Sequence, residues 1–365
     1  MASFKGFSKA VQPDWPGLVD NIRRRGTPER VYFMELFQDP EIREAIAKRF
    51  ALTTGLDPRD PDFERKKYIA IQRFCGYDFV RIGMVGLEFP FFNHAVKNTA
   101  SSSNGARNFR DEHTGPITNW EEFEKFPWPD PRTPSATREL EWYQKNLPED
   151  MCIVGSGGFA HQMEFLSWLM GYETLCYALS EQRELVAAIA RKLEDFFSNS
   201  LTRILEFDRV KLVWGSDDMG FKTGLLISPP DMRELVLRCH KQLAATSHAA
   251  GRPYLLHSCG NLSEIMEELI DAVGIDAKHS FEDTIEDVCD VKRRYGRRLS
   301  LIGGIDVDFL CRADEPAIRE RVRKTLDVCQ PGGGYCLGTG NSVANYIPLD
   351  NYMIMLDEGR RYSGG

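Results

Sequence analysis

Residues 253–277 read PYLLHSCGNLSEIMEELIDAVGIDA and hold one complete strand–helix–strand unit. Pro253–His257 is a short apolar run of the kind that makes a buried strand. Leu262–Ala272 carries helical spacing, and Gly274–Ala277 is the next strand-like run. Asn261, with Glu264 three positions on, resembles a capping box at the helix entry.

The same alternation extends in both directions. Strand-like runs stand at Met151–Val154, Val210–Trp214, Leu299–Ile302 and Gly334–Leu337, between helical stretches at Glu181–Glu206, Pro230–Ala249 and Pro316–Val328. Pro229-Pro230 suits a helix entry. Upstream, Phe63–Cys75 reads as a helix closed by Gly76, followed by a strand over Tyr77–Gly83. Six or more such units predict an α/β chain folded as a single (β/α)8 TIM barrel rather than an open doubly wound sheet. The expected layout is an N-terminal arm and helical extension over 1–60, packed on a barrel of residues 61–365. A Phe-, Asn-, Gly- and Pro-rich loop excursion at about 86–134 interrupts the barrel. No GxGxxG or GxxxxGK[ST] loop follows any strand, which counts against nucleotide binding.

Composition narrows the class. The 365 residues carry 46 Lys+Arg against 54 Asp+Glu, a net charge of −8, so no nucleic-acid partner is expected. The dense cationic runs, Arg23-Arg24-Arg25 and Lys292-Arg293-Arg294, read as solvated faces. No run of about 18 apolar residues predicts a membrane span, and the polar first residues do not read as a signal peptide. Nine cysteines, an odd number, suit a reducing, cytoplasmic setting better than a disulfide framework.

Two strand ends carry the chemistry. His257 and Cys259 stand two positions apart just past a strand, which reads either as half of a zinc site or as a buried cysteine beside a hydrogen-bonded histidine. Gly332–Asn341 repeats the form: a short strand with Cys336 near its end and a glycine-rich loop after it. Across a barrel mouth, Cys336 could meet His257 and Cys259; otherwise it is a small core residue.

His257-x-Cys259-Gly260 followed 77 positions later by Cys336 resembles the zinc site of corrinoid-dependent methyltransferases in the uroporphyrinogen decarboxylase superfamily. Gly274-Ile275-Asp276-Ala277, Leu301–Asp306, Gly215–Gly220 and Pro127-Trp128-Pro129 support the resemblance. The porphyrinogen decarboxylases themselves carry an arginine-rich N-terminal motif. The corresponding Arg30–Phe37 lacks the two arginines of that motif's second half and has Glu35 nearby, which argues against a substrate with eight carboxylates.

The resemblance implies a zinc ion held by His257, Cys259 and Cys336, and a corrinoid (cobalamin) carried by a partner protein. Methyl would pass between cobalt and a small molecule such as a methyl ether, a methylamine or a thiol, as in an O-demethylase component. A decarboxylase or lyase on the same barrel, and a non-catalytic barrel that binds a corrinoid or a partner, are the alternatives; a homodimer is left open. Glu282 is a candidate for the metal or the leaving group, or else a helix cap. Asp217 and Asp218 are candidates for substrate hydrogen bonding, and His161 for orienting substrate. Asp306 reads as structural. Phe89–His94 reads as packing or as an apolar pocket wall.

Overall fold

The computed structural model describes residues 4–91, 93–97 and 106–362. Eight strands make one parallel sheet: β1 (Tyr32–Phe33), β2 (Phe79–Ile82), β3 (Cys152–Gly155), β4 (Val210–Ser216), β5 (Tyr254–His257), β6 (Ala277–His279), β7 (Ser300–Ile302) and β8 (Tyr335–Leu337). Their order is β1-β8-β7-β6-β5-β4-β3-β2, every pairing parallel, which is a (β/α)8 barrel read round from a seam between β1 and β2. Among the described residues no ladder crosses that seam. Side chains bridge it instead, with Arg30 ion-paired to the fully buried Asp78.

The strands are short, and most of their residues are buried because helices cover the outer face while side chains fill the inside. Alternation along β5 sends Tyr254 outward, where its hydroxyl meets His240 Nδ1 at 2.9 Å on helix Arg238–Ala249. His257, three positions on, therefore points inward. The N-terminal end of the barrel is plugged by helix Trp15–Ile22: Asn21 Nδ2 donates to the carbonyl of Tyr335 (2.8 Å), and Ser300 Oγ to that of Ile22 (2.7 Å).

The helix over Phe63–Cys75 forms as expected, with Gly76 in the left-handed region at φ 86°. Ser228 and Pro229-Pro230 open the helical segment that runs to Ala249, also as expected. Asn261 and Glu264 do not form a capping box. Asn261 Oδ1 accepts from Ser263 N–H at 3.0 Å in a local turn, and the helix starts later, at Met266. Strand β1 lies inside residues 1–60, so that segment supplies a barrel strand as well as helices. In the excursion, Asn93–Lys97 and Ala106–Arg110 pair antiparallel; Phe92 and residues 98–105 lie outside the described residues. No helix of the described residues is long and apolar enough to cross a membrane.

Candidate metal centre and cavity

β4, β5 and β6 end side by side at the C-terminal mouth, with Ser216 in register with His257 and His257 with His279. His279 Nε2 faces the carbonyl of Thr339 at 3.3 Å, and His279 Nδ1 faces His257 Nδ1 at 2.7 Å. A carbonyl can only accept, so His279 carries its proton on Nε2. Burial pushes both imidazoles below their usual range, so both are neutral near pH 7. The proton between the two rings therefore belongs to His257 Nδ1, and His257 Nε2 is left with a bare lone pair.

That lone pair faces a thiol and a carboxylate. Cys259 Sγ lies 3.5 Å from Nε2, and Asp218 Oδ1 lies 3.4 Å from it. The N–H of Cys259 donates to Asp218 Oδ1 at 2.8 Å, which favours the carboxylate that burial otherwise opposes. Asn341 Nδ2 donates to Cys259 Sγ at 3.3 Å, which favours the thiolate that burial otherwise opposes. Asp218, His257 and Cys259 bring nitrogen, sulfur and oxygen within 4.8 Å of one another. A tetrahedral zinc with bonds of about 2.3 Å to sulfur and about 2.05 Å to nitrogen sets those two donors about 3.5 Å apart. The donor set and its spacing fit a zinc ion.

Cys336 does not join this cluster. Its Sγ lies 3.4 Å from Asn21 Nδ2, on the helix that plugs the opposite end of the barrel. The reason is stagger. The ladders run from His257 to His279, through the Lys278–Leu301 pair, to Ile302 and Cys336. In a tilted barrel each step to the next strand shifts the row by about one residue along the axis, so three steps lower it by roughly 10 Å. The residue of that region that does reach Cys259 is Asn341, five positions further on.

The other candidates separate cleanly. Asp217 follows Ser216 and so faces outward; fully buried, it accepts from the N–H groups of Met163 (2.9 Å) and Glu164 (3.0 Å) and meets His240 Nε2 at 2.8 Å. It holds the start of helix Gln162–Met170. Glu282 lies outside the cluster, and the helix after it is capped by Asp287 instead. Asp306 caps helix Val307–Arg312 through the N–H of Phe309. His161 lies at the mouth with Nδ1 2.7 Å from Glu164 Oε2 and its ring stacked on Phe165. Phe89 and Phe91 pack on Phe165 at 4.9 and 5.0 Å between centroids, inside an aromatic cluster.

A cavity of about 690 Å³ opens beside the cluster, bounded by the loop after β1, helices Pro40–Arg49 and Phe63–Cys75, and the ends of β2, β3 and β4. Arg81, Trp214, Ser216 and His161 form its inner wall, and the Trp214 ring lies 5.6 Å from that of His279. Glu35 also lines it. Burial pushes this carboxyl up to about 8, and the hydrogen bonds agree. Thr339 Oγ1 lies 2.6 Å from Glu35 Oε2 and 2.6 Å from the carbonyl of Asn341. One hydroxyl proton serves the carbonyl, so the other contact needs a proton on Glu35.

Residues 112–362 match the family model described as uroporphyrinogen decarboxylase (URO-D). The chain belongs to the uroporphyrinogen decarboxylase family. Curated uroporphyrinogen decarboxylases from Cupriavidus necator and Cupriavidus pinatubonensis are 34% and 33% identical to it over 96 residues. Those matches cover 26% of this chain and 24% of the length of each relative. Among solved structures, a methyltransferase from Methanosarcina mazei superposes with a TM-score of 0.65 at 16% identity, over 94% of this chain and 97% of that one. At that identity the likeness establishes the shared barrel.

Proposed function

We propose that this member of the uroporphyrinogen decarboxylase family is a zinc-dependent methyltransferase. It moves a methyl group between a small molecule and the cobalt of a corrinoid carried by a partner protein. The observation that carries the reading is the convergence of three metal-ligating atoms, His257 Nε2, Cys259 Sγ and Asp218 Oδ1, within 4.8 Å of one another. Nitrogen, sulfur and oxygen donors together suit zinc.

Zinc held there would supply Lewis acidity to the oxygen, nitrogen or sulfur that leaves the methyl group, and corrinoid cobalt would supply the methyl acceptor. The chain's own contribution is orientation. The Thr339 carbonyl fixes His279, and His279 fixes the tautomer and aim of His257. The Asn341 amide steadies the Cys259 thiolate. His161, its Nδ1 held 2.7 Å from Glu164 Oε2, lines the cavity, where it can orient the methyl donor.

The test is spectroscopic. The purified protein is mixed with chemically reduced cobalamin and a panel of methoxyaromatics and methylamines, and formation of methylcobalamin is followed. Formation with at least one donor, lost in Cys259→Ser, is expected. No transfer from any donor, in either direction, overturns the reading.

A further inference from the structure

The cavity beside the candidate metal centre has a wall rich in hydrogen-bond donors, two of them buried without an acceptor among the described residues. Arg81 comes from β2, where a lone cation interrupts an otherwise apolar strand. Its Nε donates to Ser156 Oγ at 3.2 Å, and its guanidinium lies 4.8 Å from the Trp214 ring centre. Among the described residues no carboxylate pairs with it. Burial pushes Arg81 down to about 10, so it is still a cation at neutral pH. Arg43, from the neighbouring helix, is likewise free of any ion pair among the described residues, and its Nε is buried without an acceptor. Trp214 Nε1, in the same lining, is also buried without one. The Tyr68 ring lies 5.5 Å from the Arg43 guanidinium, and its hydroxyl accepts from the N–H of Arg81 at 3.3 Å, so its own proton is free.

The carboxylates in the lining do not neutralise these cations. Glu139 is held by Arg65 at 2.9 and 2.5 Å, and Glu64 by Lys67 at 2.9 Å. Asp39 accepts from the N–H of Asn345 at 2.9 Å. Glu35 is protonated at neutral pH, as argued above. Arg81 and Arg43 are half-buried guanidinium groups without a carboxylate partner among the described residues, and such a pair beside a free phenol is the chemistry that receives a carboxylate.

We propose that this cavity binds a carboxylate-bearing methyl donor, the carboxylate held by Arg81, Arg43 and the Tyr68 hydroxyl. The inference rests on the methyl-transfer reading for what the ligand donates, not for how it is held. The carboxylate anchors one end of the donor against the β2 wall, and Ser216 and Trp214 border the His257–His279 pair at the other side of the cavity. Arg43, Tyr68 and Arg81 all precede residues 112–362, the part matched by the family model.

Binding is measured by titration calorimetry on the full chain with 4-methoxybenzoate, methoxyacetate and 4-methoxyphenylacetate, against their neutral amides. At least one acid binds, and about 10- to 100-fold more tightly than its amide, as loss of a charged hydrogen-bond pair predicts. Arg81→Gln and Arg43→Gln each erase most of that preference, while circular dichroism and thermal unfolding check that the variants are folded. Equal affinity for acid and amide, an unchanged preference in Arg81→Gln, or no binding by any of the acids overturns the inference. The measurement needs no turnover, so the two proposals fail separately. Acid binding without transfer to cobalamin removes the proposed function alone. Transfer from uncharged donors with Arg81→Gln unimpaired removes this inference alone.

Discussion

At the scale of single residues, proton positions decide what the mouth of the barrel can bind. The same logic applies to Glu35, whose second oxygen must carry a proton to meet Thr339 Oγ1. Its carboxyl is raised from 4.5 to about 8 by burial. A raised acid stabilises the fold fully below its unfolded value, and that contribution is lost as pH rises through about 8. Glu35→Gln keeps the shape and both contacts, with its amide N–H standing in for the acid proton. Thermal unfolding between about pH 5 and pH 9 is therefore expected to be flatter in the variant, with its melting point several degrees above wild type at the alkaline end. Parallel curves for the two proteins would remove the assignment. Not all of this was readable in the sequence. His257, Cys259, Asp218 and His161 stood out because their chemistry is distinctive. Asn341 did not, since an amide is not a metal-ligand type, and Arg81 was hidden inside a strand.

At the scale of elements, the loop leaving β8 connects cavity and metal centre. Thr339 meets Glu35 through its N–H and hydroxyl and His279 through its carbonyl, and Asn341 meets Cys259. The glycines around them are there for close approach. A Cβ on Gly338 would stand 2.1 Å from the carbonyl oxygen of Met34, and one on Gly340 would stand 2.0 Å from that of Phe281. Gly340→Ala is expected to cost about 1–3 kcal/mol in denaturant unfolding, because backbone must move on one side or the other. It should also weaken metal retention against a chelator by displacing Asn341. An alanine variant as stable and as metal-tight as wild type would show that the loop has slack. The element boundaries were largely legible: helix Phe63–Cys75 with its Gly76 cap, and the ends of β5 at His257 and β8 at Leu337. Three features were not. Gly274–Ala277 reads as a strand, but the strand there begins only at Ala277. A two-residue strand, β1, leaves no periodic signal. Outward-facing Asp217 and inward-facing Ser216 are separated by strand alternation, a cue that was present in the sequence but concerns β4 as a whole.

At the scale of the molecule, the barrel depends on how it is closed. The seam between β1 and β2 has no backbone ladder among the described residues, so the Arg30–Asp78 pair bears on the join. Asp78 is fully buried, one of its oxygens has no partner, and burial raises its carboxyl to about 6 even with Arg30 beside it. Removing the guanidinium leaves that group uncompensated, so Arg30→Ala is expected to destabilise the fold by about 3–5 kcal/mol. Chemical denaturation measures it, and a loss below about 0.5 kcal/mol would mean that solvent or Asp14 N–H alone satisfies Asp78. Barrel stagger is also why Cys336, level with His257 by ladder counting, ends at the opposite side of the core. Strand order was deducible from the repeating units, but the vertical position of a residue after three strand steps was not.

The proposed metal centre is built from His257, Cys259 and Asp218, without Cys336. Zinc content of anaerobically purified protein, by elemental analysis, tests it most directly. About one zinc per chain is predicted for wild type and for Cys336→Ser, and loss of that zinc for Cys259→Ser and Asp218→Ala. Zinc lost in Cys336→Ser but kept in Asp218→Ala, or none in the wild type, would contradict the account.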